Sequence, residues 1–269
     1  MKIFDCFTFN DEFEILDIRL NTLNKFVDKF IIVESKTNHQ GNEKKVNFNI
    51  NQFKKFKDKI NYFLIDKIPS NYSSWEIESY QRNYISNGLN SCEKNDVIII
   101  SDIDEIPNLE KFNFNKMKSK FYTFEQEHFM YKLNLERPVK WLGSKLCKYK
   151  NLKSPQWLRS LKTHKKYSVW RIDKIFNKNY SFDFEIIRNG GWHFGWLKSI
   201  DDIILKINSY AHIEHNNKLN NNKIYIKNCI KKKISFLNNN EKLKIRNIDS
   251  KFPNYIVKNK TLFKKWILK

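Results

Sequence analysis

Arginine is scarce in this chain of 269 residues: of its 50 basic residues 7 are Arg and 43 are Lys. Protein surfaces that read nucleic acids lean on Arg for bidentate phosphate and guanine contacts. Here the lysine excess travels with abundant Asn and Ile, the pattern of a biased composition, so the net charge of +21 does not make nucleic acid an expected partner. A basic surface still attracts anionic donors, acceptors or lipid head groups, and peripheral contact with an anionic membrane is expected to be strongly salt-dependent. Cysteine is also sparse. Cys6, Cys92, Cys147 and Cys229 lie far apart, which excludes the close pairs of zinc sites and small disulfide frameworks and leaves reduced structural thiols. No stretch approaches the roughly 18 apolar residues of a membrane span. Asp5, Asp11, Glu12 and Glu14 interrupt the N-terminus where a signal peptide needs an apolar run. The chain therefore reads as cytoplasmic, at most peripheral to a membrane. There is no internal repeat and no flexible linker. Oligomeric state has no signature here.

What is present points to a folded enzyme-sized domain. Hydrophobic residues at 41% and aromatics at 15% are too many for a disordered chain. Residues 2–9 (KIFDCFTF), 29–33 (KFIIV), 61–65 and 96–100 (DVIII) read as strands. Residues 12–23 place Phe13, Leu16, Leu20 and Leu23 on one helical face after Asn10 or Asp11 as N-cap. Ser73 and Glu76 form a capping box that opens a helix through about Leu89. Strand and helix in alternation predict a largely parallel sheet with helices on both faces, whose ligands sit at the carboxyl ends of the strands. Four places qualify: Phe9 to Glu12, Glu34 with Ser35, Asp66, and Asp102 to Glu105. Beyond residue 120, the aromatic segments 121–131, 139–141 and 167–170 look like further strands, and residues 216–247 like helical pieces joined by polar loops.

The strongest chemical feature is Ile98-Ile99-Ile100-Ser101-Asp102-Ile103-Asp104-Glu105-Ile106-Pro107. Two carboxylates one residue apart, just past a buried strand, can present hard oxygen ligands to one divalent cation. Such a cation neutralises a diphosphate leaving group as a Lewis acid. A calcium loop would need a third oxygen ligand and Gly where Ile106 and Pro107 stand. A haloacid-dehalogenase-like phosphatase, with Asp102 as nucleophile and Asp201-Asp202 as its late acidic pair, is a real rival. Against it, the motif ends about the fourth strand rather than the first. A lysine-rich polyanion binder on an inactive transferase fold is the non-enzymatic alternative.

A second feature is Asn189-Gly190-Gly191-Trp192-His193-Phe194-Gly195-Trp196. Adjacent glycines allow close backbone approach directly before a histidine able to ligate a metal. Trp192 and Trp196 serve as core or as a stacking surface for a sugar or base.

Together these residues resemble the family 17 glycosyltransferases. Phe9-Asn10-Asp11-Glu12-Phe13-Glu14-Ile15-Leu16-Asp17-Ile18-Arg19-Leu20 matches the family's opening Phe-Asn-x-Glu-x-x-Leu-Leu-x-x-Arg. Val27-Asp28-Lys29-Phe30-Ile31-Ile32-Val33-Glu34-Ser35 follows its next strand, and Trp75, Glu76 or Glu78 and Arg82 resemble its helix before the acidic motif. Asp102-Ile103-Asp104-Glu105-Ile106-Pro107, Gly191-Trp192-His193 and Pro253-Asn254-Tyr255-Ile256 are similar to later family elements. The resemblance implies an α/β fold of GT-A type: a Rossmann-like mixed sheet flanked by helices, in a single domain with helical C-terminal additions. Residues 1–107 would be the nucleotide-sugar-binding half, 108–215 the half that meets the acceptor and completes the metal site, and 216–269 a helical segment. It implies an inverting transfer of a sugar, N-acetylglucosamine from UDP-N-acetylglucosamine, to a glycan acceptor hydroxyl with Mn²⁺ or Mg²⁺. By the same resemblance Asp102, Asp104 and His193 hold the metal, Asp102 alternatively meeting the ribose. Phe9, Asn10 and Glu34 border the uridine, and Arg82 meets a phosphate. The proton acceptor is expected at Glu105 or Glu214, with Glu127 and Asp183 as further choices. The family's animal members carry a membrane anchor and stem, so a chain starting at the catalytic core fits a cytoplasmic enzyme building a bacterial or viral surface glycan.

Overall fold

The computed structural model describes residues 1–162, 181 and 183–269; the aromatic segment at 167–170 lies outside them. The four strands expected in the first half all form. β1 (Ile3–Thr8), β2 (Lys29–Ser35), β3 (Ile60–Ile65) and β4 (Val97–Ile100) lie parallel in the order β3-β2-β1-β4. All of β4 and all of β1 except Thr8 are buried, which explains why neither alternates polar and apolar residues. Successive side chains of β1 still face opposite layers: Phe7 packs under one, Phe4 and Cys6 under the other.

The crossover from β1 to β2 is α1 (Phe13–Leu23). Its buried face is wider than the predicted stripe and contains Ile15, Ile18 and Arg19 besides Leu16, Leu20 and Leu23, while Phe13 is half-buried. Glu12, rather than Asn10 or Asp11, stands at the cap position. Its longer side chain folds back so that Oε2 accepts the backbone N–H groups of Asn10 and Asp11 at 3.2 and 3.1 Å, which ties down the preceding loop instead of the first helical turn. Before β4, α2 (Ser74–Asn83) opens with the predicted capping box, Ser73 and Glu76 each accepting the other's backbone N–H. It ends six residues before Leu89, and a tighter 3₁₀ turn covers Tyr84–Gly88. Close approach explains the change: a Cβ on Gly88 would lie 2.5 Å from the Ile31 side chain and 2.9 Å from that of Phe63.

The second half turns the sheet mixed. β5 (Glu105–Pro107) follows the acidic loop; β6 (Phe121–Met130), β7 (Leu135–Glu136), β8 (Trp141–Lys148), β9 (Phe184–Ile187), β10 (Gly191–Gly195) and β11 (Lys244–Ile245) complete it. β8 runs antiparallel to both β4 and β6, while β10 lies parallel to β6 and antiparallel to β5. Among the described residues these strands form one eleven-stranded sheet. The strand expected at 139–141 begins only at Trp141, leaving Val139 exposed. Helices α3 (Pro155–Ser160), α4 (Ile200–Ser209), α5 (Lys223–Lys232) and α6 (Asn254–Lys258) cover the rest. Within 216–247 the polar stretch yields α5, as expected, and also β11, which pairs with β7. The four cysteines are free. Among the described residues no helix is long and apolar enough to cross a membrane.

Candidate active site

The carboxyl ends of β1, β2 and β4 open into a cleft of about 270 Å³. Phe9, Asn10 and Glu12 come from the end of β1, Ser35 from the end of β2 with Thr37, Asn38, His39 and Lys44 beyond it, and Asp102 to Asp104 from beyond β4. The third predicted place does not contribute: Asp66 is exposed and pairs with Lys36 at 2.6 Å. The opposite wall is built by α2 through Glu78, Gln81 and Arg82, and by Trp196, Lys206, Tyr210 and His212 from α4 and its flanks.

The shape of the acidic loop is set from beneath by Arg19. This guanidinium is fully buried and pairs with Asp5 through two contacts of 2.7 and 2.6 Å. Nη1 donates to the carbonyls of Asp102 and Ile103, both at 3.1 Å, and of Glu105 at 2.8 Å; Nη2 reaches Ser101 Oγ at 2.6 Å. Three carbonyls turned toward one cation leave the side chains of Asp102 and Asp104 pointing elsewhere, and they part company.

Asp102 turns to two arginines. Arg82 Nη2 donates to Oδ1 at 2.9 Å and Arg159 Nη2 to Oδ2 at 2.8 Å. Desolvation opposes the charge on this carboxylate, but Arg159 first and then Arg82 more than offset it and hold Asp102 far below the usual carboxylate range. A carboxylate with a guanidinium on each oxygen is a poor nucleophile. The late acidic pair of the phosphatase reading is also elsewhere: Asp201 pairs with exposed Lys223, and Asp202 is bound at the α4 cap by Ser199, neither lining the cleft.

Asp104 turns to His193, with Oδ1 3.5 Å from Nε2. Backbone pairing makes this meeting: Phe194 N donates to the Asp104 carbonyl at 2.9 Å, and His193 stands opposite Glu105 in the β10–β5 ladder. Gly191 permits the approach, for its φ is +143° and a Cβ there would lie 2.2 Å from the Ile106 carbonyl oxygen. The imidazole stacks on His128 at a ring separation of 4.2 Å and leans on Trp141 at 4.9 Å. Burial, reinforced by His193, keeps His128 neutral well below the usual histidine range. Asp104 is held below its usual range because His193, and then Lys206, outweigh its desolvation. His193 Nδ1 is buried without a hydrogen-bond partner among the described residues. A carboxylate beside an imidazole is a donor pair suited to a divalent transition ion.

The remaining predicted residues divide. Phe9, Asn10 and Arg82 line the cleft, Arg82 also holding Glu78 at 2.7 Å and Gln156 at 2.5 Å. Glu34 does not reach the cleft. Its buried oxygens accept from Lys44, the backbone of Asn47 and Phe48, and Tyr62, so that it pins the loop that brings Lys44 to the wall. Glu105 is sealed at 0% exposure, with Trp141 Nε1 and Arg159 on Oε1 and the Asp102 backbone on Oε2. Burial raises its pKa, and Arg159 reverses this only in part. Glu214 stands on an exposed turn, bound to cleft-lining His212 but not itself lining the cleft. Glu127 pairs with Arg246 at 2.9 Å, and Asp183 accepts the backbone N–H of Lys120. Of the two tryptophans, Trp192 is core and donates to the Lys251 carbonyl, while Trp196 forms cleft wall.

Sequence reasoning missed several groups. Lys206 projects into the cleft; burial opposes its charge, but Glu12 and Asp104 more than compensate and raise it above the usual lysine range. His39 lies on the wall with Nε2 3.0 Å from Gln81 Oε1, and burial lowers its pKa. Arg159 reaches Asp102 and Glu105 from α3. No local pattern marks these positions. Arg19 alone left a trace, as a charge among Leu16, Leu20 and Leu23 on the buried face of its helix.

The profile of glycosyltransferase family 17 matches residues 1–252. The beta-1,4-mannosyl-glycoprotein 4-beta-N-acetylglucosaminyltransferase of Rattus norvegicus is 27% identical over 126 residues, which cover 43% of this chain and 23% of that enzyme. The protein of the same name from Homo sapiens is 27% identical over 126 residues, covering 43% and 24%; that from Mus musculus is 26% identical over 126 residues, covering 43% and 23%. The matched stretch thus spans about a quarter of the length of these curated relatives. With the order of motifs and the match over nearly its whole length, the chain belongs to glycosyltransferase family 17.

Proposed function

We propose that this protein is a metal-dependent, inverting glycosyltransferase of GT-A type that moves N-acetylglucosamine from UDP-N-acetylglucosamine to a hydroxyl of a glycan. The observation that carries this reading is the contact at 3.5 Å of cleft-lining Asp104 with His193, itself not among the lining residues, in a cleft whose walls carry Lys44, Arg82 and Lys206. That combination suits a nucleoside diphosphate: cationic walls for the phosphates, and one oxygen and one nitrogen donor for a bridging cation.

Asp104 and His193 would hold Mn²⁺ or Mg²⁺, which would supply Lewis-acid stabilisation of the departing diphosphate. Asp102, clamped by Arg82 and Arg159, orients those arginines toward the phosphates, and Phe9 and Asn10 border the uridine. Inversion needs a proton acceptor on the face opposite the leaving group. Glu105 is enclosed by Arg159 and Trp141, and neither Glu127 nor Asp183 lines the cleft. Glu214 does not line the cleft itself, but it hydrogen-bonds His212, which does, and is the carboxylate assigned to this role. The lysine-rich surface favours acceptors that carry or lie near negative charge, including those at an anionic membrane, and a cytoplasmic setting accords with this.

A panel of nucleotide-sugars incubated with the protein and Mn²⁺, read by release of nucleoside diphosphate, tests the reading. UDP release from UDP-N-acetylglucosamine above that from the other donors is expected. Phosphate release from simple esters, with no nucleotide-sugar consumed, would restore the phosphatase. Tight, steeply salt-sensitive polyanion binding without turnover would favour an inactive scaffold.

A further inference from the structure

The turn after α4 carries Ala211-His212-Ile213-Glu214-His215, and His212 lines the cleft. Its Nδ1 lies 2.7 Å from Glu214 Oε1, and the edge of its ring meets Trp75 at 4.7 Å with an interplanar angle of 85°. Tyr210 stands behind it at 5.6 Å. We propose that His212 is the general base of the transfer, with Glu214 as the positioning residue that fixes its tautomer. This rests on the transferase reading above and replaces a free carboxylate with a histidine–carboxylate pair.

The hydrogen bond decides the tautomer. Glu214 is exposed and its hydrogen bond with His212 holds it ionised below the usual range, so its carboxylate can only accept. Nδ1 must therefore donate, and the lone pair of the neutral ring resides on Nε2. Trp75 and Tyr210 limit the ring's rotation, which preserves that assignment. In the step itself, the acceptor hydroxyl oxygen bonds to the anomeric carbon and its proton passes to His212 Nε2. The bond from the anomeric carbon to the β-phosphate oxygen breaks, and its electron pair leaves with the diphosphate. The imidazolium, stabilised by the Glu214 carboxylate, then returns the proton to solvent. Water in place of the acceptor gives free sugar and UDP by the same bookkeeping, which makes the step measurable without the natural acceptor.

His212, Glu214 and His215 also bring three ligand atoms within 4.8 Å of one another. A metal site is thus the competing use of the same turn, and the experiment has to separate the two. The assay is UDP release from UDP-N-acetylglucosamine with Mn²⁺ by the full chain, alongside UDP affinity by calorimetry. His212→Ala is expected to lower kcat by about 100-fold or more with UDP affinity unchanged, and added imidazole should restore part of the rate. Glu214→Gln should lower kcat less, again without changing affinity. Asp104→Asn should lose activity that imidazole does not restore. A His212→Ala protein with full turnover, or with a loss that follows UDP affinity and resists imidazole, overturns the assignment. So does stoichiometric Zn²⁺ uptake by wild type that His215→Ala and His212→Ala both abolish, because an ion there would occupy the lone pair. A wild-type chain that hydrolyses no nucleotide-sugar overturns the transferase reading together with the base.

Discussion

His193 Nε2, on β10, lies 3.5 Å from Oδ1 of Asp104, in the turn before β5, and the two segments are joined by the β5–β10 ladder and by Phe194 N donating to the Asp104 carbonyl. The contact depends on backbone register before side-chain chemistry. Gly191, with φ at +143° and no room for a Cβ beside the Ile106 carbonyl, sets that register. Gly191→Ala is accordingly expected to destabilise the fold by about 3 kcal/mol and to weaken cation-dependent nucleotide binding. Urea denaturation and UDP calorimetry check the two effects separately; a protein of unchanged stability would show that the strand approach has slack.

Arg19 organises the acidic loop by a different device, one guanidinium serving Asp5, Ser101 and three carbonyls. Lysine retains the charge but cannot present five donors in a fixed plane. Arg19→Lys should therefore cost about 3 kcal/mol in urea denaturation and abolish most activity even where the folded protein is recovered. Wild-type stability in this variant would mean that the loop holds itself.

Arg159 bridges Asp102 and Glu105 at 2.8 and 2.7 Å. Arg159→Leu leaves the buried Glu105 without its ionic partner, and a loss of about 3 kcal/mol is expected. Replacing both groups, Arg159→Leu with Glu105→Gln, should recover part of that loss, since the unpaired charge is then gone. A double-mutant cycle in urea measures the coupling.

Lys145 is buried, and desolvation, helped by the charge of Arg159, lowers its pKa to about 7. Its Nζ donates to the carbonyls of Arg159 and Leu161. Between about 7 and the ordinary 10.5 the unfolded chain binds the proton more readily than the folded one, so this residue's contribution makes stability rise with pH across that window. The wild type should thus gain stability relative to Lys145→Met as pH rises from about 7 to 10. A difference independent of pH would mean that the amine is protonated in the fold throughout.

The centre of the fold was legible because burial on both faces writes itself as uninterrupted apolar runs, as in β4, and because the Ser73–Glu76 capping box is a local signal. Strand ends then pointed to Phe9, Asn10, Asp102 and Asp104, all of which line the cleft. What stayed hidden depends on distant partners. Nothing near Asp102 reveals that Arg159 will claim one of its oxygens, and nothing near Glu34 reveals that the backbone of Asn47 and Phe48 will claim both of its own. Lys206 looks like any lysine on an amphipathic helix until Glu12 and Asp104 are brought beneath it. The paired aspartates suggested one shared cation; in the structure Arg82 and Arg159 take both oxygens of Asp102, while Asp104 faces His193, and neither partnership is written near the motif.

In the proposed reading Asp104 and His193 together hold a cation that binds a nucleoside diphosphate. Calorimetric titration of UDP into the chain, with Mn²⁺ and with excess chelator, measures this in the wild type, Asp104→Ala and His193→Gln. UDP binding that requires Mn²⁺ in the wild type and falls to the chelated level in both variants is the predicted result. Equal binding with and without the ion, unchanged by either substitution, would contradict it.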